Sequence, residues 1–220
     1  MAYIDFIEKI HKKTKRDYLG ERVLGVDKAQ CAKVSKLFGR DYWDGDRKYG
    51  YGGYRYDGRW KVVAEDLINH YNLGPDSKIL DLGCGKGFLL YEFARLLPDS
   101  TVRGIDISQY AVEKAKKEVK PFISQGNIIE LPFETGEFDM VISINVLHNL
   151  YINDLWNAVS EIERVGLQKY IVVDSYRNEE ERVNLMYWQL TCECFYTTNE
   201  WEWILKEIGY QGDYSCIFYE

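Results

Sequence analysis

Between Lys78 and Asp174 the chain alternates short apolar runs with amphipathic stretches, and this alternation restricts it to few folds. Lys78 to Leu82 (KILDL), Thr101 to Ile107, Phe122 to Ser124, Phe138 to Ile144 (FDMVISI) and Lys169 to Asp174 (KYIVVD) have the length and β-branched content of buried strands. Phe88 to Leu97 reads as a helix stopped by Pro98, Ser108 caps a second to about Val119, and a third runs from about Asn153 to Val165, closed by Gly166. Strands separated by helices pair in parallel through right-handed crossovers. The expected fold is therefore α/β, a doubly wound and mainly parallel Rossmann-like sheet that binds ligands beyond the C-terminal ends of its strands.

The flanks are less regular. Ile4, Ile7 and Ile10 have helical spacing over residues 3 to 16, with Lys12, Lys13, Lys15 and Arg16 at the basic end. Asp27 is placed to cap a helix to Phe38, with Cys31, Val34, Leu37 and Phe38 on one face and Gly39 as its stop. Arg40 to Trp60 contains only aromatic, glycine and charged residues, among them Tyr42, Trp43, Tyr49, Tyr51, Tyr54, Tyr56 and Trp60. No amphipathic period fits it, yet seven aromatics are costly to leave in water, which favours an ordered lid or binding loop. A helix then runs through Val63, Leu67, Ile68 and Tyr71 to Gly74-Pro75. Beyond Asp174, Glu179 to Gln189 reads as a helix, Thr197-Thr198-Asn199-Glu200 as a capping box before Trp201 to Ile208, and Tyr214 to Tyr219 as a last strand, leaving six or seven strands open. Residues 1–60 are expected to form helices and a Tyr/Gly/Arg-rich lid within the same domain as a core of residues 61–220.

Composition narrows the partners. With 28 Lys+Arg against 35 Asp+Glu, the net charge of −7 argues against nucleic acid as a main partner. No apolar run approaches the roughly 18–20 residues that span a bilayer, and the N-terminus lacks a basic-then-apolar leader pattern, so a cytoplasmic protein without membrane insertion is expected. Five sparse cysteines, Cys31, Cys84, Cys192, Cys194 and Cys216, do not make a disulfide scaffold, and Cys192-Glu193-Cys194 with three scattered histidines does not make a zinc site. No metal is expected.

The chemistry is carried by Asp81-Leu82-Gly83-Cys84-Gly85-Lys86-Gly87, where the first strand turns into a helix. A P-loop would need glycine at Leu80 and Ser or Thr at Gly87. A dinucleotide fingerprint counted from Gly83 would need a small residue at Phe88. What remains is an acid two positions before G-x-G-x-G, with a second acid, Asp106, closing the next strand 25 residues after Asp81. A carboxylate there can accept both hydrogen bonds of a free ribose diol.

On these residues the chain resembles the class I S-adenosylmethionine-dependent methyltransferases, over residues 78 to 174. The resemblance implies that Asp81, Gly83, Cys84, Gly85, Gly87, Asp106, Ile107, Asn127, Ile128 and Asn145 bind S-adenosylmethionine and the product S-adenosylhomocysteine. Gly126-Asn127-Ile128 would hold the adenine with Ile107 as an apolar wall, and Asn145 would face the methionine part or the substrate. His148 is the expected general base and Asp174 the second choice. Segment 41–60 is similar to that of methyltransferases associated with bacterial surface-polysaccharide precursors, which implies O-methylation of a small polar acceptor such as a nucleotide-linked sugar, phosphoramidate or phosphate-bearing precursor. Tyr49, Tyr51, Tyr54, Tyr56, Arg55, Arg59 and Arg177 are then the expected substrate contacts. The alternatives are a catalytically silent, methyltransferase-like binding subunit, or an N- or carboxyl-methyltransferase of another small metabolite.

Overall fold

A computed structural model of the chain describes residues 1–11 and 27–220. Six strands, β1 (Lys78–Leu82), β2 (Thr101–Asp106), β3 (Ile123–Gln125), β4 (Phe138–Ile144), β5 (Gly166–Asp174) and β6 (Asp213–Ile217), form one sheet in the order β3-β2-β1-β4-β5-β6, parallel throughout. This is the doubly wound order whose direction of winding reverses between β1 and β4. The strand count left open by the sequence is six among the described residues. The N-terminal residues extend the sheet edge, with Ile4 N–H donating to Tyr214 O at 2.9 Å and Tyr214 N–H to Ala2 O at 3.0 Å.

Period-two alternation assigns the strand side chains to two cores. Ile79, Met140, Ile142, Tyr170 and Val172 face the core that contains α4 (Trp60–Tyr71), α5 (Phe88–Leu96) and part of α8 (Glu179–Trp188). Leu80, Val141, Ile171 and Val173 face the opposite core, with α7 (Ile152–Val165) and α9 (Thr198–Ile208). α7 buries Leu155, Ala158, Val159, Ile162 and Val165, the three-and-four spacing of one helix face. Each such fully buried aliphatic side chain stabilises the fold by about 1.5–3 kcal/mol.

Several expectations change at their edges. The N-terminal helix is α1 (Glu8–His11), and its expected continuation beyond residue 11 lies outside the described residues. α2 (Lys28–Ser35) is capped by Asp27, whose side chain accepts from Gln30 N–H, but it ends before Phe38 and leaves Leu37 78% exposed, off the expected buried face. α4 stops at Asn72, which takes a left-handed conformation (φ 52°), before Gly74-Pro75 is reached. The helix capped by Ser108 is only α6 (Gln109–Glu113). Gly166 opens β5 instead of merely closing α7. The Thr197–Glu200 capping box is present in full. Residues 40–60 are ordered through α3 (Arg40–Asp44), a 3-10 turn (Arg47–Tyr49) and an aromatic cluster. No helix among the described residues is long and apolar enough to cross a membrane.

Candidate functional site

Two cavities meet over the C-terminal ends of β1, β2 and β4. The first, of about 170 Å³, contains Asp81, Gly83, Cys84 and Gly85 from the β1 turn, Asp106 and Ile107 from the end of β2, Asn127 and Ile128 after β3, and Asn145 after β4. Nine of the ten residues expected to hold the nucleoside donor thus line one space. Gly87 does not. It caps α5 with φ 70°, and a Cβ there would lie 2.5 Å from Ile123 Cδ1, so it serves close packing of helix against sheet.

The turn is held by its own backbone. Gly83 N–H donates to Ile105 O at 2.7 Å, and Gly85 N–H donates to Asp106 Oδ2 at 2.6 Å. The second oxygen, Oδ1, accepts from Ser108 N–H at 2.8 Å. Burial raises the Asp106 pKa more than these bonds lower it. Asp81 has no hydrogen-bond partner among the described residues; burial, reinforced by the Asp106 charge, pushes it up to about 7. At Gly83 (φ 75°) an added Cβ would sit 2.1 Å from Val146 Cγ2.

These features fit S-adenosylmethionine. A buried carboxyl without a partner suits an ammonium, and Asp106 retains lone pairs for a ribose diol. Ile107, 54% exposed, is open to an adenine face. Asn127 Oδ1 accepts from Ile129 N–H at 3.2 Å, which leaves the side-chain N–H groups to meet the base. When bound, the donor would supply an electrophilic methyl group on a cationic sulfonium, whose leaving group is a neutral thioether.

Aromatic residues close this cavity: Phe38, and Tyr42, Trp43, Tyr51, Tyr54 and Trp60 from the segment that no periodicity fitted. Trp43 stacks on Tyr51 with ring centroids 5.3 Å apart and lies over Gly85, while its Nε1–H is shared between Ser108 Oγ (2.9 Å) and Phe38 O (3.0 Å). Tyr54 stacks on Phe88, the side chain that spoils a dinucleotide fingerprint.

The second cavity, of about 350 Å³, shares Tyr42, Tyr51, Tyr54, Trp60 and Asn145 with the first and continues past Arg47, Arg55, Arg59, Trp188, Gln189, Thr191 and Tyr219. Of the expected substrate contacts, it collects Tyr51, Tyr54, Arg55 and Arg59. Tyr49, Tyr56 and Arg177 line neither cavity. Tyr56 instead donates its hydroxyl to Glu92, and Arg177 pairs with Glu181 and Glu220. Asn145 borders both cavities with φ 62°, a left-handed conformation uncommon outside glycine and concentrated at functional sites.

His148 and Asp174, the expected bases, are 2% and 0% exposed and line neither cavity, so neither is placed to take a proton from a group held there. His148 Nδ1 accepts the Asp174 backbone N–H at 3.0 Å, so the ring proton is on Nε2, 3.2 Å from Asp174 Oδ2. Burial lowers the imidazole pKa more than Asp174 raises it, and the neutral ring has no lone pair left for a substrate proton. Gln189, Tyr42 and Trp43 were missed by sequence reasoning. A glutamine carries no signal at all, whereas the aromatics were visible only as members of an unpatterned segment.

Comparison with known proteins agrees with the donor cavity. A family profile described as a methyltransferase domain matches residues 73–209, and the chain belongs to that family. It is 37% identical over 105 residues to malonyl-[acyl-carrier protein] O-methyltransferase of Legionella pneumophila, covering 46% of this chain and 36% of that protein. It is 31% identical over 116 residues to a demethylmenaquinone methyltransferase of Symbiobacterium thermophilum, covering 49% and 45%. The matches thus span between a third and a half of these two relatives. The fold resembles the YcgJ protein of Bacillus subtilis (TM-score 0.54, 20% identity, 66% of each chain). It also resembles geranyl diphosphate C-methyltransferase of Streptomyces coelicolor (TM-score 0.53, 18% identity, 71% and 66%). The chain is therefore a member of the methyltransferase-domain family, and its relatives by name include methyltransferases of malonyl-[acyl-carrier protein] and of demethylmenaquinone. No cluster of three or more metal-ligating side chains is present among the described residues.

Proposed function

We propose that the protein transfers a methyl group from S-adenosylmethionine, held in the first cavity, to an oxygen of a small polar acceptor held in the second. The observation that carries the reading is the shared wall: Tyr42, Tyr51, Tyr54, Trp60 and Asn145 border both spaces, so groups in the two meet there. The acceptor oxygen contributes a lone pair to the new C–O bond. The C–S bond breaks with its electrons to sulfur, and a hydroxyl proton, where there is one, leaves to solvent. Alignment dominates such an in-line displacement and is worth about 7–11 kcal/mol when geometry is right. Tyrosine faces and charged groups in the acceptor cavity support a polar ligand such as a nucleotide-linked sugar, a phosphoramidate or another phosphate-bearing precursor of a surface polysaccharide. The aromatic segment 38–60, on this reading, forms the lid over both ligands.

Calorimetry with S-adenosylmethionine and S-adenosylhomocysteine, NAD serving as control, tests the donor half. Micromolar binding that is lost in Asp106→Ala supports it; a folded wild type that binds neither overturns it. Release of S-adenosylhomocysteine with cell metabolites distinguishes an enzyme from a silent binding subunit.

A further inference from the structure

Gln189 lines the acceptor cavity, and its orientation is fixed from behind. Its Nε2 donates to Asp174 Oδ2 and, at 2.9 Å, to the Tyr219 hydroxyl. A carboxylate only accepts, so the amide nitrogen must be the atom that faces Asp174. Both Nε2 hydrogens are then in use, and Oε1, with no partner among the described residues, is the group left for a ligand. The buried His148 lies against the same Asp174 oxygen, its Nε2 3.2 Å from Oδ2, and its Nδ1 accepts the Asp174 backbone N–H. The pair that sequence reasoning took for a base therefore fixes which end of an amide the cavity presents.

The same cavity is lined by three arginines, Arg47, Arg55 and Arg59, in a chain of net charge −7. Arg47 is braced by the carbonyls of Gly50 and Tyr51 and lies over Trp188. Arg59 pairs with Asp57 at 2.6 Å, but both side chains are about half exposed, and such pairs are worth little against a competing ligand. Arg55 has no ion-pair partner among the described residues. Arg55 is thus available to an anion, and Arg59 by exchange from Asp57, the one acid among the described residues of the lining.

Building on the proposed methyl transfer, we infer that the second cavity takes a hydroxyl-bearing anion. Its phosphate or carboxylate meets Arg55 and Arg59, one of its hydroxyl groups donates to Gln189 Oε1, and His148 and Asp174 act as positioning residues through Gln189. A neutral hydrogen bond of this kind is worth about fivefold in affinity, and an arginine–anion contact about tenfold or more.

The test uses two probes of similar size, glycerol 3-phosphate and propyl phosphate, titrated into the full chain saturated with S-adenosylhomocysteine. The wild type is expected to bind both and to prefer the hydroxylated probe about fivefold. Arg55→Ala is expected to weaken both about tenfold with recovery in Arg55→Lys, whereas Gln189→Leu abolishes the preference and leaves propyl phosphate binding in place. Asp174→Asn, which turns a donor toward Gln189, is expected to reduce the preference, and this ratio would not move if the pair merely supported the fold. Arg55 is exposed and its variants give a readout even if Asp174→Asn does not fold. Donor binding without phosphate binding, or a preference unchanged in Gln189→Leu, overturns the inference and leaves the methyltransferase reading intact. Failure to bind S-adenosylhomocysteine removes both.

Discussion

Lys86, inside the glycine turn, extends its ammonium to both carboxylate oxygens of Asp44 at 2.7 Å and to Tyr54 O at 2.9 Å, tying the aromatic segment to that turn. Tyr110 adds a hydroxyl bond to the same carboxylate at 2.9 Å. Lys86 is 5% exposed, so the tie is sheltered from solvent. The position that would be the Walker lysine of a P-loop here holds a protein carboxylate.

Lys86→Met should leave the sheet folded and cost about 2 kcal/mol, the scale of a hydrogen bond to a charged group, measured by urea unfolding. Burial raises the Asp44 pKa, but the bonds from Lys86 and Tyr110 outweigh it, so the carboxyl titrates below its usual range. A depressed folded pKa gives stability that is present above the unfolded value near 4 and is lost as pH falls through the folded one. That loss below about pH 4 should be smaller in Lys86→Met than in the wild type.

Asp81 carries the opposite sign. Its folded pKa of about 7 lies above the unfolded value near 4. The native state therefore holds the proton more tightly, and stability falls as pH rises between these values. A cationic ammonium needs the ionised carboxylate, so affinity for S-adenosylmethionine should rise about tenfold from pH 6 to pH 8. Calorimetry at the two pH values checks this; Asp81→Asn should bind more weakly and show no such rise.

The sequence exposed most of the sheet, because β1, β4 and β5 are continuous apolar runs and nothing but parallel pairing buries both their faces. It pointed to the glycine turn of the first cavity because Gly83, Gly85 and Asp106 act through local backbone geometry that sets their spacing. It could not place His148, since a histidine after a strand end looks the same in sequence whether its nitrogens face a cavity or a buried Asp174. It could not find Gln189 or rank Tyr51 above Tyr56, because contacts between residues 42–60 and 188–219 depend on long-range packing that no local pattern encodes.

Gly87 offers a stability test separate from ligand binding. With φ 70° and a Cβ position 2.5 Å from Ile123 Cδ1 and 3.0 Å from Val119 Cγ2, Gly87→Ala meets both backbone strain and overpacking. A loss of roughly 1–3 kcal/mol is expected. Gly209 also has a positive φ of 90° but nothing within 4 Å, so Gly209→Ala should lose less. Denaturant titration of the two variants compares them directly.

Trp43 should report donor binding. The first cavity, at about 170 Å³, is smaller than the roughly 300 Å³ at the low end of small-molecule sites. Trp43, packed over Gly85 and stacked on Tyr51, is the large side chain a nucleoside would meet on the glycine turn, and it is expected to shift on binding. Saturating S-adenosylhomocysteine is therefore expected to change the tryptophan emission of the wild type, and Trp43→Phe should lose most of that change while still binding the ligand by calorimetry. In Gly85→Ala the added methyl lies 2.9 Å from the Trp43 ring and on a backbone of φ 54°. Its emission without ligand should already be displaced, and its donor affinity reduced, because one substitution disturbs both the turn and the side chain above it. An unchanged emission on binding in the wild type would mean that the donor fits beneath Trp43 without moving it.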